Sequence, residues 1–582
     1  MKPGIFIRRS SFYYLVIILV FCSLSLPAVG SADAGSQAQS VPEKMREGYE
    51  SIRPEDSVSY LEFIAADELE GRDTPSKGLT IAKLYIQSLY KTWGVQPAGD
   101  PAGSSRSYEQ KIPVVIKEYG KDTFMEVRSG GIARKFFVDT DFSCSNGADF
   151  AGTIVGPVVF AGYGLSAPDV GYDDFANIDV KGKIVVVAAG KPGGPDADTV
   201  FNRPENRARF AGRRTPAENC ARLLARKGAL ALIIIDESRG RAVSPHGYIR
   251  GDRIRSAGKS VFSPALSLVD PMVPSFWASP EVAEAIFSSS GRSFVESKNS
   301  IDSRIRPNSL NFPGVTIDID LDVRQTPSLT ANLLGMIEGS DPELKNEFVV
   351  IGAHLDHVGM NPQGYVFNGS DDNGSGSVGV LQIAKALARN PVKPKRSVLF
   401  AHWTGEEKGL VGSGYFVRFP TIPLENIVAN VNLDMISRDT PLSVVKETAR
   451  DFNIDLAILD GLEDLPEKTL MVFTSSPAPS LEDMSVQLGR DHSGLQVVPL
   501  PSFPMLGNSD HYFFCLKKIP AVFFYTGGHR ELHQPGDTVD KMNKTKMSRI
   551  VRLAYLLAFT IGEAADRPAW RDSPTQILPF QW

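Results

Sequence analysis

The sequence predicts an α/β protein in which a mainly parallel mixed sheet is covered by helices on both faces and a β-rich domain is inserted into it. The last half of the chain alternates continuous apolar runs with amphipathic helical segments, which is typical of parallel strands buried on both faces. A middle region consists of short β-type runs separated by Gly- and Pro-rich turns. At 582 residues the chain is too long for one ordinary core, so more than one domain is expected.

Composition and charge indicate a globular protein and exclude one class of partner. Hydrophobic residues make up 42% of the sequence and charged residues 22%, as in folded globular proteins. The formal net charge is -5 and no block of basic residues occurs, so we expect no nucleic-acid partner. Beyond residue 32 only Cys144, Cys220 and Cys515 remain, too scattered for a metal motif and sufficient for one disulfide at most.

Residues 1–32 have the layout of a secretory signal peptide. Basic residues precede an apolar run from Phe12 to Leu26, and small residues follow it. A membrane anchor is the alternative, but the apolar run is short for a bilayer span. We therefore expect export with cleavage between Ala28 and Ala34, no stable transmembrane segment afterwards, and a periplasmic or secreted location.

Residues 40–149 are predicted to form the N-terminal part of the main domain. From about Ser51 to Asp100, apolar residues recur at three- and four-residue steps in two stretches, which predicts helices. The turn-like segment GRDTPSKG, residues 71–78, separates these stretches.

Residues 150–305 are predicted to form a small independent β-rich domain. Strands are expected in IVGPVVFAGYG, GKIVVVAAG and GALALIIID, because each is a short apolar run bounded by turn residues. The segment PAENCARLLARKGA between them is predicted to be one helix.

Residues 306–570 are predicted to complete the main domain. From Asn332 onward, strands are expected in EFVVIGAHLDH, RSVLFAHW, ENIVANVNLDMI and IPAVFFYTGG, and a helix in GSVGVLQIAKALARN. Ligands of such sheets bind beyond the carboxyl ends of the strands, so the functional site is expected at that edge.

The predicted carboxyl ends of four strands carry histidines and carboxylates but no thiol. In chain order these residues are His354, Asp356, His357, Asp371, Asp372, Glu406, Glu407, Asp434, His529, His533 and Asp537. Taken singly, an acid that opens a helix is most often an N-cap, and a loop histidine is most often solvated. Several buried acids at one apolar sheet edge are costly unless they are paired or bind a metal. A nitrogen and oxygen donor set without cysteine suits a catalytic zinc site, with Mn²⁺ or Co²⁺ as substitutes.

These segments, in this order, resemble the M28 family of co-catalytic zinc aminopeptidases, which have a zinc-exopeptidase (phosphorylase/hydrolase-like) fold. The resemblance rests on GAHLDHVG, NGSDDNGSG, WTGEEKG, NVNLDMI and HRELHQPGDT. Within residues 150–305, VVFAGYGLSAPDVGYDDFANIDVKGKIVVV is similar to a protease-associated (PA) domain, a common insertion in this family. FIAADELEGRDTPSKG resembles the N-terminal region of the PA-bearing members.

The resemblance implies a role for each matching residue. The implied ligands of two zinc ions per chain are His354 and Asp434 on one ion, Glu407 and His533 on the other, and Asp372 bridging both. Glu406 matches the general acid/base of the family. Asp356 matches the acid that orients the ring of the metal-bound histidine two residues earlier. The peptide bond from Asp372 to Asn373 is expected to be cis.

The function implied by the resemblance is hydrolysis of peptide substrates by a hydroxide shared between the metals, with release of N-terminal amino acids. A metallocarboxypeptidase of the same family and a non-catalytic PA-domain binding or receptor protein are the alternatives. A single-zinc glutaminyl cyclase is disfavoured, because all five ligand positions are filled.

The sequence departs from the family pattern at Leu532, where relatives often have a tyrosine that polarises the substrate carbonyl. Either His511 or Tyr525 replaces that tyrosine, or stabilisation relies more on the metals. The histidines that match no ligand position and are expected to have structural or substrate-lining roles are His357, His402 and His529.

Overall fold

The computed structural model describes residues 40–570 except 121, 139, 145–151, 195–196, 204–205, 207–209, 211–213, 238–258, 265–271, 362, 452–453, 475–478 and 502–507. The predicted signal peptide, residues 1–32, lies outside these residues. Within the described ranges, none of the helices combines the length and the apolar character that a membrane span requires.

The structure assigns helices and strands throughout the described chain. The helices are α1 (Glu43–Ser51), α2 (Pro54–Ile64), α3 (Lys77–Trp93), α4 (Arg214–Arg226), α5 (Pro280–Phe287), α6 (Phe294–Arg304), α7 (Gly376–Arg389), α8 (Val411–Arg418), α9 (Leu442–Asp451), α10 (Pro479–Leu488), α11 (His511–Leu516) and α12 (Lys544–Glu563). The strands are β1 (Gln96–Pro97), β2 (Pro101–Ala102), β3 (Ser105–Arg106), β4 (Glu109–Tyr119), β5 (Phe124–Ser129), β6 (Ile132–Phe137), β7 (Phe142–Cys144), β8 (Gly152–Phe160), β9 (Ser166–Ala167), β10 (Tyr172–Asp173), β11 (Ile184–Ala188), β12 (Ala231–Ile235), β13 (Lys259–Phe262), β14 (Ser275–Ala278), β15 (Leu310–Leu321), β16 (Val323–Ile337), β17 (Phe348–His354), β18 (Ser397–Trp403), β19 (Ile427–Leu433), β20 (Thr469–Thr474), β21 (Gln496–Pro501) and β22 (Ala521–Tyr525).

The main sheet contains ten of the described strands. Its order is β13-β4-β16-β18-β17-β19-β22-β20-β21, with β1 paired to β16. The central strands β18, β17, β19 and β22 are parallel to one another. Antiparallel pairs flank this centre, β16 with β18 on one side and β20 with β22 on the other. The predicted α/β fold is confirmed, and its parallel pairing is concentrated where βα units alternate along the chain.

Helices cover both faces of the main sheet. Val349 and Ile351 of β17 pack on one face in a core shared with residues of α7 and α12. Val350, between them, packs on the other face with Phe416 of α8 and Phe514 of α11. Because successive strand residues point to opposite faces, a continuous apolar run is what a strand covered on both sides requires.

A second sheet has its own core. Its order is β6-β5-β15-β8-β11-β12-β14-β7, and β8, β11, β12 and β14 are mutually parallel. Phe160 of β8 and Phe276 of β14 lie in this core with Phe287 of α5, and all three are buried. Cys144, Cys220 and Cys515 are buried and form no disulfide with one another, and the first two lie in β7 and α4.

The second sheet does not coincide with the predicted range 150–305. Strands β5, β6 and β7 precede residue 150, and β15 follows residue 305. Conversely, β13 lies inside the range 150–305 but belongs to the main sheet, where it pairs with β4. These pairings join segments that are distant along the chain, so local strand signals could not reveal them.

Candidate metal centre

Parallel strands bring four chain segments to one edge of the main sheet. β17 ends at His354, and Asp434 follows β19 directly. Glu406 and Glu407 lie in the loop after β18, and His533 lies in the loop after β22. These strands are neighbours in the order β18-β17-β19-β22, so their carboxyl ends meet at one edge.

The first group of donor atoms comes from His354, Asp372 and Asp434. All three side chains are buried, and their ligand atoms lie within 4.8 Å of one another. His354 Nε2 is 3.3 Å from Asp372 Oδ1 and 3.4 Å from Asp434 Oδ1. Asp434 Oδ1 has no hydrogen-bond partner among the described residues, whereas its Oδ2 accepts a hydrogen bond from Ser509 Oγ over 2.7 Å.

The hydrogen bond of His354 directs its Nε2 toward two carboxylates, where positive charge is favoured. His354 Nδ1 lies 3.0 Å from the backbone carbonyl oxygen of Asp356, which can only accept, so Nδ1 carries the hydrogen. In the neutral ring, Nε2 then presents a lone pair toward two carboxylate oxygens. Three electron-rich atoms face one another, and a bound cation or a proton is needed to make that arrangement favourable.

The second group of donor atoms comes from His357, Asp372, Glu407 and His533. Their ligand atoms also lie within 4.8 Å of one another. His533 Nε2 is 2.9 Å from Asp372 Oδ2 and 3.0 Å from Glu407 Oε1. His357 Nδ1 is 3.3 Å from the same Glu407 oxygen.

Asp372 belongs to both groups through different oxygens. Its Oδ1 faces His354, and its Oδ2 faces His533. The peptide bond from Asp372 to Asn373 is cis, as expected. The backbone N–H of Asp372 donates to Asp537 Oδ2 over 3.1 Å, which fixes the segment that carries the shared carboxylate.

The donor spacing fits zinc. Bonds of about 2.0–2.1 Å to nitrogen and oxygen in a tetrahedron place neighbouring ligand atoms roughly 3.3 Å apart. The measured separations to His354 Nε2, 3.3 and 3.4 Å, match this distance. Imidazole and carboxylate ligands without thiolate also suit Mn²⁺ or Co²⁺.

Neighbouring imidazoles hold Glu407 in the charged form that metal ligation needs, whereas burial raises the pKa of Asp434. Burial, the largest single cause, would raise the pKa of Glu407, but His533 and His357 together lower this pKa well below its usual value. Burial lowers the pKa of His533, yet Glu407 and Asp372 together raise it to about 10. Likewise, burial opposes a charge on His354, but Asp434 and other carboxylates raise its pKa well above the usual value. The centre therefore stabilises positive charge.

Glu406 and Asp356 lie beside the donor groups without joining them. The backbone N–H of Glu406 donates to Asp356 Oδ1 over 3.2 Å, and both side chains are buried. Burial is the main cause that raises the pKa of Asp356 to about 6. The expected link from the Asp356 carboxylate to the His354 ring is longer, 3.9 Å, than the 3.0 Å to the Asp356 backbone carbonyl. Asp356 thus orients the ring mainly through its main chain.

Other predicted residues lie outside both donor groups. His402 Nε2 is 2.8 Å from the hydroxyl of Tyr90, and burial lowers the pKa of His402 to about 3. His529 Nε2 is 3.3 Å from Asp371 Oδ2. His511 is buried and stacked on Phe523 with ring centroids 4.9 Å apart.

Arg72 holds both ends of the connection between β17 and α7, which carries Asp372, and sequence reasoning missed it. Its side chain is 0% exposed, which is rare for arginine. The guanidinium donates hydrogen bonds of 2.6–2.9 Å to the backbone carbonyls of Leu355, Ile64, Asn368 and Gly369. Leu355 adjoins His354, and Gly369 precedes the shared aspartate by three residues. The segment GRDTPSKG, residues 71–78, contains this residue, but nothing local indicated its contacts.

The residues after Arg72 hold the loop that carries the acidic pair. Asp73 Oδ1 is 2.7 Å from Lys408 Nζ. Thr74 Oγ1 lies 3.0 Å from Thr404 Oγ1 and accepts the N–H of Gly405 over 3.1 Å. The segment from Arg72 to Thr74 thus supports the loops that follow β17 and β18.

The family match covers the part of the chain that carries the donor groups. Residues 332–558 match the model of Peptidase family M28. A probable leucine aminopeptidase 2 from Aspergillus oryzae is 32% identical over 216 residues, covering 37% of this chain and 37% of that protein. Leucine aminopeptidase 2 from Trichophyton rubrum is 29% identical over 252 residues, covering 39% of this chain and 44% of that protein. The chain thus spans less than half the length of these curated relatives.

A solved structure shares the fold over nearly the whole chain. The aminopeptidase from Aneurinibacillus sp. strain AM-1 matches with a TM-score of 0.54 and 16% identity, covering 90% of this chain and 98% of that one. At this identity the likeness concerns the fold alone. The matched range 332–558 contains all the donor residues described above. In this range, which carries the donor residues, the chain is similar to Peptidase family M28.

Proposed function

We propose that this chain is a metallopeptidase that uses two zinc ions to release N-terminal amino acids from peptides. The observation that carries the proposal is the position of Asp372, whose oxygens lie 3.3 Å from His354 Nε2 and 2.9 Å from His533 Nε2. A carboxylate shared in this way is suited to bridge two ions. The leucine aminopeptidase names of the curated relatives support the choice of N-terminal release.

The residues that would hold the metals follow from the two donor groups. His354 and Asp434 would hold one ion, Glu407 and His533 would hold the other, and Asp372 would contribute to both. When bound, paired zinc ions polarise a carbonyl and make water nucleophilic near neutral pH. The negative charges of the buried carboxylates would compensate the positive charges of the ions, which are costly to bury without a partner.

Glu406 is the proposed general acid/base. Its neighbour Glu407 is committed to the donor group with His533, at 3.0 Å, whereas Glu406 belongs to neither group. The contact between the Glu406 N–H and Asp356 fixes the main chain at this point. The Glu406 carboxylate would take the proton of the attacking water and return it to the leaving amine nitrogen.

This proposal can be tested with aminoacyl fluorogenic substrates. N-blocked peptides and peptides that report C-terminal release are assayed beside them. We expect metal-dependent cleavage of free-amine substrates, with leucyl derivatives among those cleaved, and no cleavage of N-blocked ones. Cleavage confined to the C-terminal residue of blocked peptides would establish the carboxypeptidase alternative. Stable binding of peptides without cleavage by the metal-loaded chain would favour the receptor alternative.

We further propose that the predicted inserted domain is of the PA type and that the chain is exported with removal of residues 1–32. Support for the first comes from the segment from Val158 to Val187, and for the second from the basic and apolar residues that begin the sequence. N-terminal sequencing of the exported chain should find a start close to residue 33. An intact N-terminus on exported protein would contradict cleavage.

A further inference from the structure

We propose that His357 is a fourth protein ligand of the metal held by Glu407 and His533. This inference rests on the proposed two-metal function and adds a ligand to it. It revises the structural or substrate-lining role expected for His357 from the sequence.

The distances place His357 among the donors of the second group. Its Nδ1 lies 3.3 Å from Glu407 Oε1 and 3.8 Å from Asp372 Oδ2. Those same two oxygens lie 3.0 and 2.9 Å from His533 Nε2. Ligand atoms of a tetrahedral zinc are roughly 3.3 Å apart, so one ion can reach all four atoms.

The surroundings of His357 give its Nδ1 no other partner. The side chain is 0% exposed, and neither ring nitrogen has a hydrogen-bond partner among the described residues. A buried ring nitrogen without a partner is costly. A metal ion between His357 Nδ1 and the carboxylate oxygens would satisfy this nitrogen and both carboxylates together.

The backbone around His357 holds the ring against the donor group. The N–H of His357 donates to the carbonyl of Arg72 over 3.2 Å. On the other side, Gly369 has a φ of 57°, and a side chain there would come within 2.5 Å of the His357 ring. Only glycine leaves room for the imidazole at this position, so the ring packs directly on the loop that leads to Asp372.

A fourth ligand makes the two metal positions unequal. The first group offers three protein donors, one of them an imidazole, whereas the second offers four, two of them imidazoles. The ion held by His357 and His533 should therefore bind more tightly and fill first. The ion at His354 keeps more open positions for water and substrate.

A cysteine at position 357 tests the contact directly. Thiolate bound to Co²⁺ gives a ligand-to-metal charge-transfer absorption band, which imidazole and carboxylate do not. We expect the H357C protein loaded with Co²⁺ to show this band, above the background that the wild-type cysteines give under the same loading. H357C that binds two Co²⁺ without the band would overturn the proposal.

Metal affinity gives an independent test that does not need peptidase activity. Competition with a chromophoric chelator should show that His357→Ala weakens one of the two bound zinc ions at least tenfold. His492→Gln, which removes a histidine outside both donor groups, should retain wild-type affinities. Equal affinities for His357→Ala and wild type would overturn the fourth ligand. Wild-type protein that binds fewer than two ions would instead overturn the two-metal function on which it rests.

Discussion

The guanidinium of Arg72 donates a 2.9 Å hydrogen bond to the backbone carbonyl of Gly369, three residues before the carboxylate shared by the two donor groups. The same side chain donates to Leu355, which lies between two residues of the centre. One buried side chain from the N-terminal segment therefore ties together both ends of the connection that leads from His354 to Asp372. The position of this connection depends on a residue that touches no donor atom.

Replacing Arg72 should disturb both stability and metal binding. Arg72→Ala leaves four buried carbonyls without their donor, and we expect the free energy of unfolding to fall by more than about 3 kcal/mol. Arg72→Lys keeps the charge but not the planar fork, so it should recover only part of the loss. Denaturant unfolding of the metal-free proteins measures the stability.

Zinc competition on the same variants separates positioning from folding. Among variants that fold, we expect Arg72→Lys to bind zinc about tenfold more weakly than wild type. The matched control is Arg53→Ala, because the Arg53 side chain is 62% exposed. Wild-type zinc affinity in Arg72→Lys would show that Arg72 serves folding alone.

The adjacent glutamates should respond differently to the same substitution. Glu406→Gln should retain both metals and lose at least about 100-fold in turnover, because the proton carrier is gone. Glu407→Gln should lose metal affinity, because an amide is a weaker ligand than the carboxylate that faces His533 at 3.0 Å. Zinc content and turnover, measured on both variants, distinguish the roles. Near-wild-type turnover in metal-loaded Glu406→Gln would contradict the assignment.

Asp537 should act on the centre through Asp372. Its Oδ2 accepts the N–H of Asp372, and its Oδ1 faces Arg438 Nη2 at 3.0 Å. In Asp537→Asn one of these oxygens becomes an NH₂ group, which would face the N–H donor of either Asp372 or Arg438 and lose that hydrogen bond. We therefore expect zinc affinity to fall by roughly 10–100-fold. The exposed Asp540→Asn is the control. Unchanged affinity in Asp537→Asn would show that the shared carboxylate does not need this support.

Lys546 should make stability rise with pH. Its ammonium is buried among the neutral acceptors of Arg438, Thr440 and Pro466. Burial is the main cause that lowers the pKa of Lys546 to about 7, whereas an unfolded lysine has a pKa of about 10.4. Between these values the unfolded chain holds the proton and the folded chain does not. The free energy of unfolding should therefore increase from pH 7 to pH 10, by at most about 1.4 kcal/mol per pH unit from this group.

The variant Lys546→Met isolates this contribution. Chemical unfolding of both proteins across pH 7 to 10 should give a difference in free energy of unfolding that changes with pH in the stated direction. A difference that stays constant would show that Lys546 keeps its ordinary pKa in the folded protein.

The local sequence was sufficient to predict the position of a site residue where that residue ends a strand or follows it directly. His354 ends an apolar run, and Asp434 directly follows another, so parallel pairing alone predicts that both lie at one sheet edge. The sequence could not predict which donors share a group, because that depends on side-chain conformation. His357 is the example, since its ring turns toward Glu407 rather than toward solvent.

Long-range contacts account for the other unpredicted features. Arg72 donates to a carbonyl 283 residues away, and no local pattern indicates such a partner. In the second sheet, β5 pairs with β15, which lies nearly two hundred residues later in the chain. The pairing of Val127 with Ile317 is an example. These contacts are decided by which faces pack in the folded protein, and single-sequence periodicity carries no information on them.

The zinc content of the purified wild-type chain tests the central claim most directly. Two donor groups share Asp372, and both consist of atoms within 4.8 Å of one another, so elemental analysis after removal of loosely bound metal should find two zinc ions per chain. The same measurement on Asp372→Ala should find at most one, because both ions lose a ligand. One ion or none in the active wild-type protein would contradict the two-metal centre.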